Sequence, residues 1–170
     1  VAKQITADNS KFLFAVTPSL TASAEEGKQR TFSGVAYGGG KIEGHWYWGD
    51  VVFDISKITM SAERVAALID HDRAQRCGYT TGYSTADNQF SVSGVLLDNE
   101  FGNAVASESD QGFPWQMSVH LDPSRVEVIE SGSVQVNGQT FSAPITVFRD
   151  SKLHEVTFTA TGWDSTTTAK

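Results

Sequence analysis

Apolar and polar residues alternate with a period of two over most of this chain, in short runs set apart by Gly, Pro, Asn and Asp. That spacing predicts β-strands with one covered and one open face. Lys11 to Thr17, with Phe12, Phe14 and Val16 on one side, and Thr31 to Tyr37, with Gly34 as a bulge position, predict the first two strands. Val51-Val52-Phe53 predicts a third. Cys77 to Tyr83 and Gln89 to Leu97, joined by Thr85-Ala86-Asp87-Asn88, predict a hairpin. Trp115 to Leu121 is entered through Gly112 and Pro114, and Trp115, Met117, Val119 and Leu121 share its apolar side. Asp122-Pro123-Ser124 then predicts a turn into a strand from Arg125 to Glu130. Ser133 to Val136 and Gln139 to Phe141 flank Asn137-Gly138, a pair that suits both positive-φ positions of a type I′ turn. Ile145 to Phe148 and Leu153 to Thr161 complete the strands.

Two stretches read with a helical period instead. Ser61 to Asp70 offers Ser61 as N-cap, Glu63 in the first turn, and Val65, Leu68 and Ile69 at i, i+3 and i+4. Asn99 to Ser109 sets Phe101, Ala104, Val105 and Glu108 on one side behind Asp98 or Asn99. About nine short strands with two helices predict a mainly β fold, an antiparallel barrel or sandwich with peripheral helices packed outside. No repeat or shift in composition marks a boundary, so residues 1–170 are expected to form a single domain. Residues 1–10, 164–170 and the wider tail from Trp163 are expected to fray, and Pro18 to Arg30 to form a mobile loop.

Composition narrows the function. The formal net charge of −7 comes with no Lys/Arg cluster, which argues against a nucleic-acid partner. The single cysteine, Cys77, excludes an internal disulfide. No apolar run approaches the ~20 residues of a membrane span, and the N-terminus lacks the core of a signal peptide. An intracellular protein without membrane partners is the expectation. Gly38-Gly39-Gly40-Lys41 lacks the Ser or Thr and the upstream glycine of a phosphate loop, and reads as a turn. His45-Trp46-Tyr47-Trp48 reads as a core or hairpin cluster, with a contact surface as the alternative.

Three places carry candidate chemistry. Ser118 and His120 lie on the polar side of the Trp115 strand, His71 follows an apolar stripe, and Glu155 opens the last strand. A serine hydroxyl needs a base within hydrogen-bond reach and a third group to orient that base. His71 can be the base and Glu155 the orienting acid, while the backbone N–H groups of Gly162 and Trp163 are oxyanion candidates. His120 is a rival base, but alternate residues on a strand stand about 6–7 Å apart. Cys77 is a rival nucleophile with no cue for a lowered pKa, and His154, pointing away from Glu155, reads as structural. His71, Asp72 and His120 could be metal ligands, but no H-E-x-x-H or paired-cysteine motif supports a metal site.

These segments bring a family into view. Arg30 to Tyr37, Ala66-Ala67-Leu68-Ile69-Asp70-His71-Asp72 with Gly78-Tyr79-Thr80, Trp115-Gln116-Met117-Ser118-Val119 and Leu153-His154-Glu155-Val156-Thr157 together resemble the phage prohead (capsid maturation) protease family, in particular its Mu-like protease/scaffold branch. The resemblance spans residues 30 to 163. It departs where Val119-His120 stands in place of Gly-Tyr and Thr161-Gly162-Trp163 in place of Pro-Ala-Asn.

The family shares its fold with herpesvirus assemblins, so the resemblance implies a single-domain, mostly antiparallel β-barrel surrounded by helices. It implies a serine endopeptidase with His71 as general base, Ser118 as nucleophile and Glu155 as third member, and no cofactor. It further implies scaffold protein, major capsid protein and the protease itself as substrates, inside the assembling prohead in the host cytoplasm, with dimers or higher oligomers there. Mu-like members continue into a scaffold region, so the chain is expected to be the protease portion, ended at Lys170 by self-cleavage or truncation. The expectation from another class is a non-enzymatic β-rich assembly or binding module.

Overall fold

Two long strands carry the architecture of the computed structural model, which describes residues 2–3, 13–16, 18–19 and 29–160. In chain order the strands are β1 (Ala2–Lys3), β2 (Leu13–Val16), β3 (Pro18–Ser19), β4 (Thr31–Tyr37), β5 (Ile42–His45), β6 (Gly49–Phe53), β7 (Thr59–Met60), β8 (Ala66–Ile69), β9 (Asp72–Ser84), β10 (Phe90–Leu96), β11 (Gln116–Ile129), β12 (Ser133–Val136), β13 (Gln139–Ser142) and β14 (Ile145–Thr159). One α-helix, α1 (Glu100–Asp110), lies between β10 and β11, and Ile55–Lys57 and Ala86–Asn88 form single 3-10 turns. The fold is mainly β, as the alternation predicts.

β11 and β14 pair antiparallel from Gln116↔Thr159 to Ile129↔Ile145. Beyond β14 the sheet continues through β8, β9, β10, β4 and β3, and beyond β11 it continues through β1. β2 also pairs with β11, while β6, β7 and β8 each run parallel to successive parts of β14. The other pairings are antiparallel, and β12–β13 is a separate hairpin. Its turn is Asn137-Gly138, both at positive φ, as the dipeptide predicts.

The structure corrects several of the predicted elements. Asp122-Pro123-Ser124 does not turn the chain, since β11 runs through it in register with β14. Pro123 has no N–H to donate, and it falls between the stretches of β11 that pair with β2 and with β1. Likewise Ile145 to Phe148 and Leu153 onward are one strand.

The predicted helix over Ser61 to Asp70 is absent, so the described residues hold one α-helix where two were expected. Residues 66–69 instead form β8, a central strand between β14 and β9. A short strand covered on both faces reads as a continuous apolar run, which periodicity cannot tell from a buried helix. The second helix holds: Asn99 caps α1 by accepting from the Gly102 N–H at 2.8 Å. Finally, Pro18–Ser19 of the expected loop pairs with β4. Ala2–Lys3, within the stretch expected to fray, pairs instead with Glu127 and Val126 of β11. The other residues of the expected frayed ends, residues 20–28 of the loop and the strand residues beyond Leu13–Val16 and Thr159 lie outside or at the limit of the described residues.

The core follows the apolar faces of these strands. Met117, Val119 and Leu121 of β11 are fully buried with Leu153, Val156 and Phe158 of β14. Phe32 of β4 stands edge-on to Phe158, with ring centroids 5.2 Å apart. Phe32 can reach that position because it lies across Gly94 of β10, where an added methyl would overlap the Phe32 ring and the Tyr79 carbonyl. Replacing Gly94→Ala should therefore lower stability by about 1–3 kcal/mol, read from the urea midpoint at constant m; an unchanged midpoint would show that the ring moves aside freely.

Candidate active site

His71 is held by a two-residue turn. Ile69 of β8 pairs with Asp72 of β9, leaving Asp70 and His71 as the connection. Both have positive φ, 47° and 58°, as a tight hairpin of right-twisted strands requires. Asp and His are among the few non-glycine residues enriched in that conformation. The turn is tied to β14 by two backbone donors. Asp70 N–H donates to the Phe158 carbonyl at 2.9 Å, and His71 N–H donates to Thr157 Oγ1 at 3.0 Å. Just beyond, Asp72 anchors the bulged residues 73–75 of β9, accepting from Ala74 N–H at 2.8 Å and Gln75 Nε2 at 3.0 Å.

β11 and β14 supply the facing groups. Ser118 pairs with Thr157 and His120 with Glu155, so these four share one face of the two-strand ribbon. The His71 ring lies over this row. Its Nδ1 is 2.6 Å from Glu155 Oε1 and its Nε2 is 3.1 Å from Ser118 Oγ. The structure thus brings together His71, Ser118 and Glu155, which lie 47 and 84 residues from one another along the chain when counted from His71. Both Ser118 and Glu155 are buried.

The proton positions follow from charge. Burial by itself pushes the Glu155 carboxyl up, but the hydrogen bond and charge of His71, with His120 and Arg73 farther off, outweigh it and hold the group below its ordinary value. Glu155 is therefore an anion at neutral pH and can only accept. Nδ1 of His71 must carry the proton it donates to Glu155, and the Nε2 lone pair is left to accept from the Ser118 hydroxyl. That is the tautomer a general base needs.

The remaining candidates fall elsewhere. Cys77 is buried and its Sγ lies 3.3 Å from the Ala67 carbonyl; burial raises its thiol to about 12, so no thiolate nucleophile is available. His120 is half-buried beside Glu155 and makes no bond to Ser118. His154 does not point away from Glu155, as strict alternation predicts, because it occupies a bulge and contacts the His120 ring. Among the described residues no group of three His, Cys, Asp or Glu side chains could hold a metal ion. The oxyanion candidates Gly162 and Trp163 lie outside the described residues. Within His45-Trp46-Tyr47-Trp48, His45 ends β5 and the three aromatics form the β5–β6 connection; Trp46 and Tyr47 are 82% and 66% exposed, so only Trp48, packed on Phe148, belongs to the core side of the cluster.

Sequence reasoning missed Thr157 and Asp70, the residues that hold the turn. The available signal is Asp-His set between two apolar-rich stretches, which a helical reading of Ser61 to Asp70 takes for the end of a helix. Comparison with family models, curated proteins and solved structures gives no match. Among the described residues no helix is long and apolar enough to cross a membrane.

The depressed Glu155 pKa has a consequence for stability. A carboxylate whose folded pKa is lowered stabilises the fold above its unfolded value, about 4.3, and that contribution is lost as the pH falls through the folded value. Urea midpoints measured from pH 7 to pH 3 should therefore fall less steeply in Glu155→Gln than in the parent protein. Parallel curves would mean that the carboxylate gains nothing from His71.

Proposed function

We propose that this protein is a serine endopeptidase of the prohead maturation type, acting by acyl transfer. The observation that carries the reading is the unbroken line from Ser118 Oγ through both nitrogens of His71 to Glu155, at 3.1 Å and 2.6 Å. Ser118 Oγ attacks the scissile carbonyl carbon while its proton passes to His71 Nε2. Glu155 stabilises the imidazolium that forms, and the imidazolium then protonates the leaving amine as the C–N bond breaks. Water, deprotonated by the same nitrogen, hydrolyses the ester and restores Ser118. The oxyanion donors are proposed from the sequence alone, at Gly162 and Trp163, which lie outside the described residues.

The residues that resemble the prohead proteases supply the proposed substrates: scaffold protein, major capsid protein and the chain itself, inside an assembling prohead in the host cytoplasm. The chemistry asks for no cofactor. A barrel of the assemblin type is also proposed. It is supported by the pairing of β2 with β11 and of β3 with β4, since one stretch of chain then touches both ends of the sheet.

A second reading, a β-rich binding module, is favoured by one feature, the exposed Trp46 and Tyr47 at a hairpin tip. Active-site labelling separates the two. A serine-directed fluorophosphonate should modify Ser118 stoichiometrically, and a binding module would not react there. Ser118→Ala should lower kcat on a scaffold-derived substrate by about 10⁶-fold and Glu155→Gln by about 10⁴-fold, with the fold kept. Cleavage by Ser118→Ala at the parent rate would sink the endopeptidase reading.

A further inference from the structure

The β11–β14 register contains one irregularity, and it lies at the site. His120 pairs with Glu155, but the next residue, Leu121, pairs with Leu153, so His154 is an extra residue in β14. At a bulge two residues of one strand oppose a single residue of the other. His154 and Glu155 therefore both face His120. The His120 and His154 rings lie 5.5 Å apart at 41°, and His154 Nε2 is 3.7 Å from Asp122 Oδ2. Glu155 consequently stands between two imidazoles, bonded to His71 and free of any bond to His120.

We propose that His120 is a positioning residue acting through Glu155: neutral, it leaves the carboxylate to His71, and protonated, it competes for the carboxylate and disarms the base. The inference rests on the Ser118–His71–Glu155 reading. Among the described residues, the charged and titratable groups around His120 come from three elements. β11 contributes Asp122, β14 contributes His154 and Glu155, with Lys152 paired with Asp122, and the β8–β9 connection contributes His71, with Arg73 acting on Glu155. β2, in register with residues 117–120, has the sequence Leu13-Phe14-Ala15-Val16.

Burial disfavours the charged His120 ring, Glu155 and Asp122 favour it, and His154 and His71 oppose it; the balance lies below the ordinary histidine value. At neutral pH His120 is uncharged, and the whole Glu155 charge acts on His71. As the pH falls, a cation at His120 draws Glu155 toward itself, which weakens the bond that orients His71. One carboxylate serving two imidazoles makes the His71 bond depend on the charge at His120.

The test is a pH titration of the full chain carrying Ser118→Ala, which follows the far-downfield Nδ1 proton of His71 by NMR and needs no activity. Its resonance should fade over the range in which the His120 ring protonates. Adding His120→Gln should move that fading to lower pH by about half a unit or more, while adding the surface change His154→Gln, which removes a repelling neighbour, should move it to higher pH. In Ser118-intact protein, log(kcat/KM) should fall on the acid side with a slope approaching two, and with a slope approaching one in His120→Gln. A resonance that ignores His120 protonation, or equal slopes in the two proteins, overturns the proposal. A protein that shows the NMR behaviour but neither labels at Ser118 nor cleaves keeps this coupling and loses the endopeptidase reading, so the two failures are distinct.

Discussion

The antiparallel pairing of β11 with β14 is the constraint from which the site follows. It sets Ser118 opposite Thr157 and His120 opposite Glu155 on one face, and Met117, Val119, Val156 and Phe158 on the buried other face. Side chains on a strand alternate, so a slip of one residue would turn the hydroxyl and the carboxylate into the core and expose the apolar set. The register that buries the core is therefore also the register that presents the chemistry. Both strands are flanked by others, which removes the freedom of an edge strand to slide: β2 lies against β11 and β8 against β14.

The third group arrives by a different device. A histidine on a neighbouring strand could not reach over the ribbon, because strand side chains stand roughly perpendicular to the sheet. Placing His71 in the β8–β9 turn lifts its ring onto the Ser118–Glu155 row. The left-handed conformation of two L-residues costs about 1–2 kcal/mol each. It is offset by the bonds from Asp70 N–H and His71 N–H to β14 and by the 2.6 Å bond between His71 and Glu155. Strain held in this way, by a surrounding sheet that over-determines the turn, is the pattern expected where a side chain must be aimed.

Much of this was legible in the residues. Alternation gave the β class, Asn137-Gly138 its hairpin, Asn99 the start of α1, and the polar side of the Trp115 strand the position of Ser118. What escaped had a physical cause in each instance. Ala67 and Leu68, neighbours on opposite faces of β8, are both buried, so the strand shows no two-residue period. Pro123 marks a turn wherever both sides of a strand are paired, and here, among the described residues, only β14 pairs with it. His154 was set on the wrong face because alternation assumes an unbroken register, and a bulge leaves no trace in composition. The bond between Thr157 and the His71 backbone joins residues 86 apart and has no local signature.

The hydrogen bond from His71 also explains how a buried carboxylate can remain charged. Glu155 loses water on entering the sheet, and a lone carboxylate in that setting would take up a proton instead. His71 prevents this by donating from Nδ1, and His120, paired with Glu155 across the ribbon, and Arg73 act in the same direction. The pairing of β11 with β14 and the ionised acid thus belong to one arrangement. The β8–β9 turn brings the donor that keeps Glu155 charged, and the charged carboxylate fixes the proton on Nδ1 and leaves Nε2 of His71 to accept from the Ser118 hydroxyl.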